Sequence, residues 1–155
     1  MYILDTNVFS TMGSYYPTSF PSLWDRLDTL VTTGNLLSVR EVWRELQYKG
    51  QSDHIFDWIK KHRQIFTRPS NEEMEIVAFI FEDIRFRGLV KESNIYKGRP
   101  VADPFLVASG KVRNATVVTE EKFKPDGAKI PTVCKELGVA CINLKRLLEI
   151  ENIIY

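Results

Sequence analysis

The chain has 155 residues, 44% of them hydrophobic and 26% charged, with a net charge of +1. That length supports one domain, residues 1–155, with a sizeable core, and the composition excludes an intrinsically disordered chain. Two cysteines, Cys134 and Cys141, fit a reduced cytoplasmic protein with buried thiols, and no apolar run approaches the ~18 residues of a membrane span or forms the core of a secretion signal.

Tyr2-Ile3-Leu4 is short and apolar, which predicts a buried strand running straight into Asp5. The segment Thr11 to Pro21 is irregular, aromatic and proline-containing. Leu23, Trp24, Leu27, Leu30 and Val31 recur at helical spacing and Gly34 stops that helix. Leu36 to Val39 predicts a second strand. Ser38 and Glu41 have the spacing of a capping box, so a helix carrying Val42, Trp43, Glu45 and Leu46 is expected there, ending at Gly50. Ile55, Phe56, Trp58 and Ile59 predict a helix that closes on the basic run Lys60 to Arg63. Met74, Val77, Ile80, Phe81 and Ile84 predict the next, closed near Gly88. After a polar loop, Lys91 to Pro100, Asp103-Pro104 suits the N-cap and first position of a helix on Phe105, Leu106, Ser109 and Val112. Thr116 to Thr119 is β-branched and predicts a strand ending at Glu120-Glu121. A helix over Pro131 to Leu137, a strand around Val139 to Ile142 and a helix on Leu144, Leu147 and Leu148 complete the chain. Strands alternating with helices predict an α/β fold, three layers with a central parallel sheet.

Loops that follow parallel strands gather on one edge of a sheet, where open α/β sheets bind ligands. Asp5 and Glu121 should meet there, and Asp103 and Glu45 can reach the same crevice from helices. Several carboxylates in one place raise one another's pKa values, and a hard divalent cation such as Mg²⁺ or Mn²⁺ resolves the conflict with oxygen ligands. With two histidines, His54 and His62, and no cysteine pair at ligand spacing, zinc is disfavoured.

Four runs resemble the motifs of PIN-domain ribonucleases, including the VapC-type toxins of prokaryotic toxin–antitoxin pairs. They are Leu4-Asp5-Thr6-Asn7-Val8, then Leu37-Ser38 with Glu45-Leu46 and Gly50, then Ala102-Asp103 with Leu106-Val107-Ala108, and last Val117-Val118-Thr119-Glu120-Glu121 with Phe123. They fall in the family's order. The fourth departs from it, with Glu121 where the family usually has Asp or Asn, and Glu120 is an alternative reading. Gln51 to Pro100 carries no family motif, and Ile130 to Cys134 resembles an uncharacterised PIN subgroup. The resemblance implies a PIN-like three-layer fold and a cytoplasmic, Mg²⁺- or Mn²⁺-dependent endoribonuclease, with an RNA substrate, a cognate antitoxin and a homodimer as partners. It implies Asp5, Glu45, Asp103 and Glu121 as catalytic metal ligands, with Thr6, Asn7 and Thr119 holding them.

Each residue also has a plainer role. Glu45 can pair with Lys49 one turn on, Glu41 can belong to the capping box, Asp103 can be an N-cap, and Asp126 can be a turn residue. Lys60 to Arg63 reads as a solvated helix end or as a phosphate-binding patch. Trp24, Trp43 and Trp58 fall at core spacing, and Tyr15, Tyr16 and Phe20 either stack bases or cap the core. A haloacid-dehalogenase-type phosphatase needs a second Asp where this chain has Asn7, and a receiver domain needs adjacent acids after the first strand. A PIN scaffold without catalysis, binding RNA or a protein, is the rival from another class.

Overall fold

The computed structural model describes residues 1–90, 96–98 and 101–153; the expected polar loop from Lys91 to Pro100, apart from residues 96–98, lies outside them. In chain order the elements are β1 (Tyr2–Leu4), α1 (Thr6–Met12), α2 (Pro21–Thr32), β2 (Leu36–Val39), α3 (Arg40–Lys49), α4 (Asp53–Lys61), β3 (Phe66–Thr67), α5 (Asn71–Glu82), α6 (Asp103–Arg113), β4 (Thr116–Val118), α7 (Ile130–Leu137), β5 (Cys141–Ile142) and α8 (Leu144–Ile150).

The strands form one sheet of order β3-β2-β1-β4-β5, parallel throughout. β1 is central, with Ile3 opposite Leu37 on one side and Val117 on the other. All three of its residues are buried. Successive strand side chains point to opposite faces, so both faces of the sheet are covered and the fold is α/β as expected. α6 lies across β1, β2 and β4 with α5 packed on it, α2 packs on β2, and α7 packs on β5. α6 comes close to the sheet because Gly110 has no side chain. A Cβ there would stand 2.7 Å from Val117 Cγ2 and 2.8 Å from Val139 Cγ1. The chain leaves β1 toward β2 on one side and returns to β4 on the other, which puts the topological switch point between the carboxyl ends of β1 and β4.

Some local expectations are corrected. α1 takes in Thr11 and Met12, the start of the segment expected to be irregular. Ser38 and Glu41 form no capping box. The Ser38 hydroxyl donates to the Leu4 carbonyl at 2.7 Å, joining β2 to β1, and Glu41 accepts from its neighbour Arg40. The capping box that does form is Ser70 with Glu73 at the start of α5. β3, two residues long, had no readable signal.

Trp24, Trp43 and Trp58 are all buried, as their spacing predicts. Trp58 belongs to a polar knot on Asp28. The Asp28 carboxylate accepts from Trp58 Nε1 at 2.7 Å and Lys61 Nζ at 2.6 Å, and His62 Nε2 lies 2.9 Å away. Trp58 and His62 are buried, so removing the acceptor strands two polar groups away from water. Asp28→Ala is expected to cost about 3 kcal/mol, and Asp28→Asn, which keeps one acceptor oxygen, about 1 kcal/mol. Urea unfolding checks this; equal midpoints for Asp28→Ala and the native chain would show that the knot contributes nothing.

Candidate active site

The switch point holds a cavity of about 200 Å³ whose wall includes Asp5, Thr6, Asn7, Glu45, Asp103 and Glu121. Asp5 stands where β1 becomes α1 and is the N-cap of that helix, its Oδ1 accepting from the Thr6 amide at 2.6 Å. Its Oδ2 accepts from the Thr119 hydroxyl at 2.8 Å. Thr119, just beyond β4, in turn accepts from the Asn7 side-chain amide at 3.2 Å and the Glu121 amide at 3.1 Å. Asn7 Oδ1 accepts from the Glu120 amide at 2.9 Å. Thr6, Asn7 and Thr119 therefore lock the loop after β4 to the end of β1.

The other acids arrive from three directions. Glu45, on α3, accepts from the Thr6 hydroxyl at 2.6 Å and the Ala102 amide at 3.1 Å, with Lys49 Nζ 3.6 Å away. Glu121 accepts from the Ile130 amide at 2.9 Å and Lys129 Nζ at 3.2 Å. Asp103 occupies the first turn of α6, but Ala102 is the N-cap and no side-chain cap bond forms, which corrects the expected Asp103 cap. The helix begins one residue earlier than its Asp-Pro signature suggests, and the carboxylate faces the cavity with no hydrogen bond among the described residues. Glu120 turns away and accepts from the Leu144 amide at 2.8 Å, at the start of α8.

Crowding raises the proton affinity of two of these acids. Burial pushes the Asp5 carboxyl up to about 6, with Glu45 and Glu121 adding repulsion and the Thr119 and Thr6 hydrogen bonds opposing it. Burial, then repulsion from Asp5, Glu121 and Glu45, pushes Asp103 well above the usual carboxylate range, against a smaller pull from Lys49.

Four carboxylates, with no sulfur or imidazole among them, are a donor set for an oxygen-seeking divalent ion. As the side chains stand, no group of three or more acidic, histidine or cysteine residues among those described is placed to hold a cation. The hydrogen bonds explain the gap. Glu45 is tied to Thr6 and Ala102, and Glu121 to Ile130 and Lys129, each against its own wall. The donors fit the ion in kind, and closing on it requires those two side chains to turn inward.

Sequence reasoning missed the two lysines in the wall, Lys49 as a member of the cavity and Lys129 altogether. Lys49 was readable at i+4 from Glu45; Lys129 reaches the site only through the fold. Other candidates lie elsewhere. Lys61 serves Asp28, Arg63 sits over the Trp43 ring at 4.9 Å, and Lys60 lies 5.8 Å from the Phe56 ring centroid, so the basic run is engaged by its own helix surroundings. Tyr15 and Phe20 pack edge to face on each other and lie against the core, and Tyr16 lies over His54.

The family model described as a domain of unknown function, DUF4411, matches residues 2–155. The chain belongs to DUF4411. Comparison with curated proteins gives no match. Among solved structures this DUF4411 chain is similar to FitAcB from Neisseria gonorrhoeae, with a TM-score of 0.50 and 18% identity, covering 92% of this chain and 97% of that one. At that identity the likeness speaks for the fold, which is PIN-like. Among the described residues of this DUF4411 member, no helix is long and apolar enough to cross a membrane.

Proposed function

We propose that this protein is a metal-dependent endoribonuclease that hydrolyses RNA phosphodiester bonds with Mg²⁺ or Mn²⁺ and acts in the cytoplasm as the toxin of a prokaryotic toxin–antitoxin pair. The observation that carries the reading is the meeting of Asp5, Glu45, Asp103 and Glu121 in one cavity at the switch point of a parallel sheet. They come from four separate parts of the chain, in the order of the PIN motifs they resemble. RNA as the substrate, a cognate antitoxin and a homodimer rest on the resemblance to VapC-type toxins.

Asp5 and Asp103 would be the principal ligands, with Glu45 and Glu121 completing the site directly or through water. When bound, the ion supplies Lewis acidity toward the phosphate and an acidified water. The chain's own groups do the rest. Thr6 and Thr119 fix the Asp5 carboxylate through hydrogen bonds at both oxygens, so one ligand is positioned before any ion enters. Glu45, once turned inward from its Thr6 bond, would position the attacking water. Lys49 and Lys129 place two cations at the wall, where they lower the repulsion an incoming phosphodiester would meet from four acids.

The test is cleavage of single-stranded and structured RNA with Mg²⁺ or Mn²⁺, with and without chelator. Metal-dependent endonucleolytic cutting that leaves 5′-phosphate ends is expected. Cutting that survives chelation would overturn the mechanism. The parting of Glu45 and Glu121 favours one second reading, a PIN scaffold without catalysis; folded protein that binds RNA and never cuts it would establish that instead.

A further inference from the structure

The acid cavity has a neighbour across a shared wall. An open cavity of about 290 Å³ is lined by Thr119, Glu121, Lys122, Phe123, Cys141 and Asn143, among others. Glu121 lines both cavities, and Thr119 is the residue that holds Asp5. The volume is near the lower end of the range for small-molecule sites, roughly 300–1,000 Å³.

Its chemistry is that of a platform for a flat, partly polar ring. Phe123 is 47% exposed, and the Lys135 ammonium lies 5.0 Å from its ring centroid. A half-exposed aromatic ring with a cation over one face has its other face as a stacking surface that every nucleobase can use. Asn143 caps α8 with its carboxamide oxygen, accepting from the Arg146 amide at 2.9 Å, and its amide hydrogens have no partner among the described residues. They are donors for a ring nitrogen or carbonyl on a base edge. Lys122, Lys124, Lys129 and Lys135 are all exposed in this stretch. Of the acids nearest the ring, Glu120 accepts from the Leu144 amide and Glu121 from Lys129 and the Ile130 amide. Four lysines therefore surround the ring, interspersed with the exposed acids Asp126 and Glu136.

We infer that this second cavity is a nucleobase subsite, in which one unpaired base of an RNA strand stacks on Phe123 and presents its edge to Asn143 while the scissile phosphate lies across the Glu121 wall at the acids. The inference rests on the proposed nuclease reading of the first cavity. It selects single-stranded over duplex RNA, because a base inside a helical stack has no free face to offer. Lys122 and Lys129 would contact the flanking phosphates, a sequence-independent and salt-sensitive contribution.

Binding of a fluorescently labelled single-stranded oligoribonucleotide tests it in the cleavage-silenced Asp103→Asn background, beside an abasic strand of the same length. Adding Phe123→Ala is expected to weaken the base-bearing strand by roughly 10- to 100-fold and to leave the abasic strand unchanged. Phe123→Trp is expected to keep the affinity and to show quenched emission on binding. Phe123 is half exposed, so neither change threatens folding. Salt-sensitive binding of the base-bearing strand that is indifferent to Phe123→Ala, or an equal loss on both strands, would overturn the subsite and leave the nuclease reading standing. No binding of either strand by the parent, with no response from Phe123→Trp, would overturn both.

Discussion

Replacing Asp103 by Asn is expected to lower metal-dependent RNA cleavage by more than about 100-fold and, at the same time, to raise the melting temperature of the ion-free protein near neutral pH. Residues that merely orient a metal ligand cost roughly 10- to 100-fold when removed, and Asp103 is assigned as a ligand itself. The gain in stability follows from the same carboxylate. It carries no hydrogen bond among the described residues, and burial together with Asp5, Glu121 and Glu45 drives its proton affinity well above the ordinary value. One influence opposes this. A negative charge in the first turn of α6 is favoured by the helix dipole by about 0.3–1 kcal/mol. Burial and three neighbouring carboxylates act against the ionised form together, and they outweigh that single favourable influence. Asn removes the charge, keeps the size and sacrifices no cap, since Ala102 holds that position. A relief of about 1 kcal/mol raises the melting temperature of a chain this long by roughly 2–4 °C. An Asp103→Asn protein that still cuts RNA at the native rate would end the metal-ligand assignment. One that loses both activity and stability would show a structural residue, with no trade between stability and function at this position.

What the sequence showed of this site and what it hid divide along a physical line. β1 was legible because Tyr2-Ile3-Leu4 must be buried on both faces, and a strand buried that way has few places to go in a parallel sheet. Asp5, Asp103 and Glu121 were legible because each follows a strand or opens a helix, and Glu45 because it lies about a turn into the helix after β2; parallel topology sends those ends to one edge. Between Glu120 and Glu121 the sequence motif leaned only slightly to Glu121. The alternation beyond β4 decides it, since Glu121 lines the cavity while Glu120 caps α8 from outside.

The misses were of another kind. Ser38 and Glu41 match a capping box in spacing, yet the parallel pairing of β1 and β2 brings the Leu4 carbonyl within 2.7 Å of the Ser38 hydroxyl. A tertiary acceptor engaged the hydroxyl in place of the local amide donor a capping box would use, which no single-sequence pattern can register. β3 is two residues, Phe66 and Thr67, too short to show a period. Lys129 meets Glu121 only because the loop after β4 folds back on the start of α7. Local rules therefore fixed which elements exist and which acids converge, while the cations that balance those acids were set by the fold.

That balance makes a second prediction, in pH. In the absence of divalent ions, stability is expected to peak in mildly acidic solution and to fall toward neutrality. Asp5, pushed up from 3.8 to about 6 mainly by burial, binds its proton more tightly in the folded than in the unfolded chain. Its contribution is therefore complete below about pH 4 and is lost as the pH climbs through about 6, a loss on the order of 3 kcal/mol for a shift of about two units. Asp103 acts in the same sense and extends the fall to higher pH. The opposite limb comes from Asp28 and Glu151. Against burial, Asp28 is held below the usual range by hydrogen bonds from Lys61, Trp58 and His62, and Glu151 by bonds from Tyr2 and Arg26. Their contributions are present above about pH 4 and vanish as the pH drops, but partly solvated pairs of this kind are worth about 1 kcal/mol or less each. The falling limb therefore wins above about pH 4. A divalent ion binds only the deprotonated acids, so saturating Mn²⁺ should add stability most where the ion-free protein is weakest and flatten the profile. Urea midpoints measured between about pH 4 and pH 8, in chelator and in Mn²⁺, read both effects. A profile in chelator that rises to neutrality would show that the four carboxylates do not strain one another, and the electrostatic case for a cation among them would be gone.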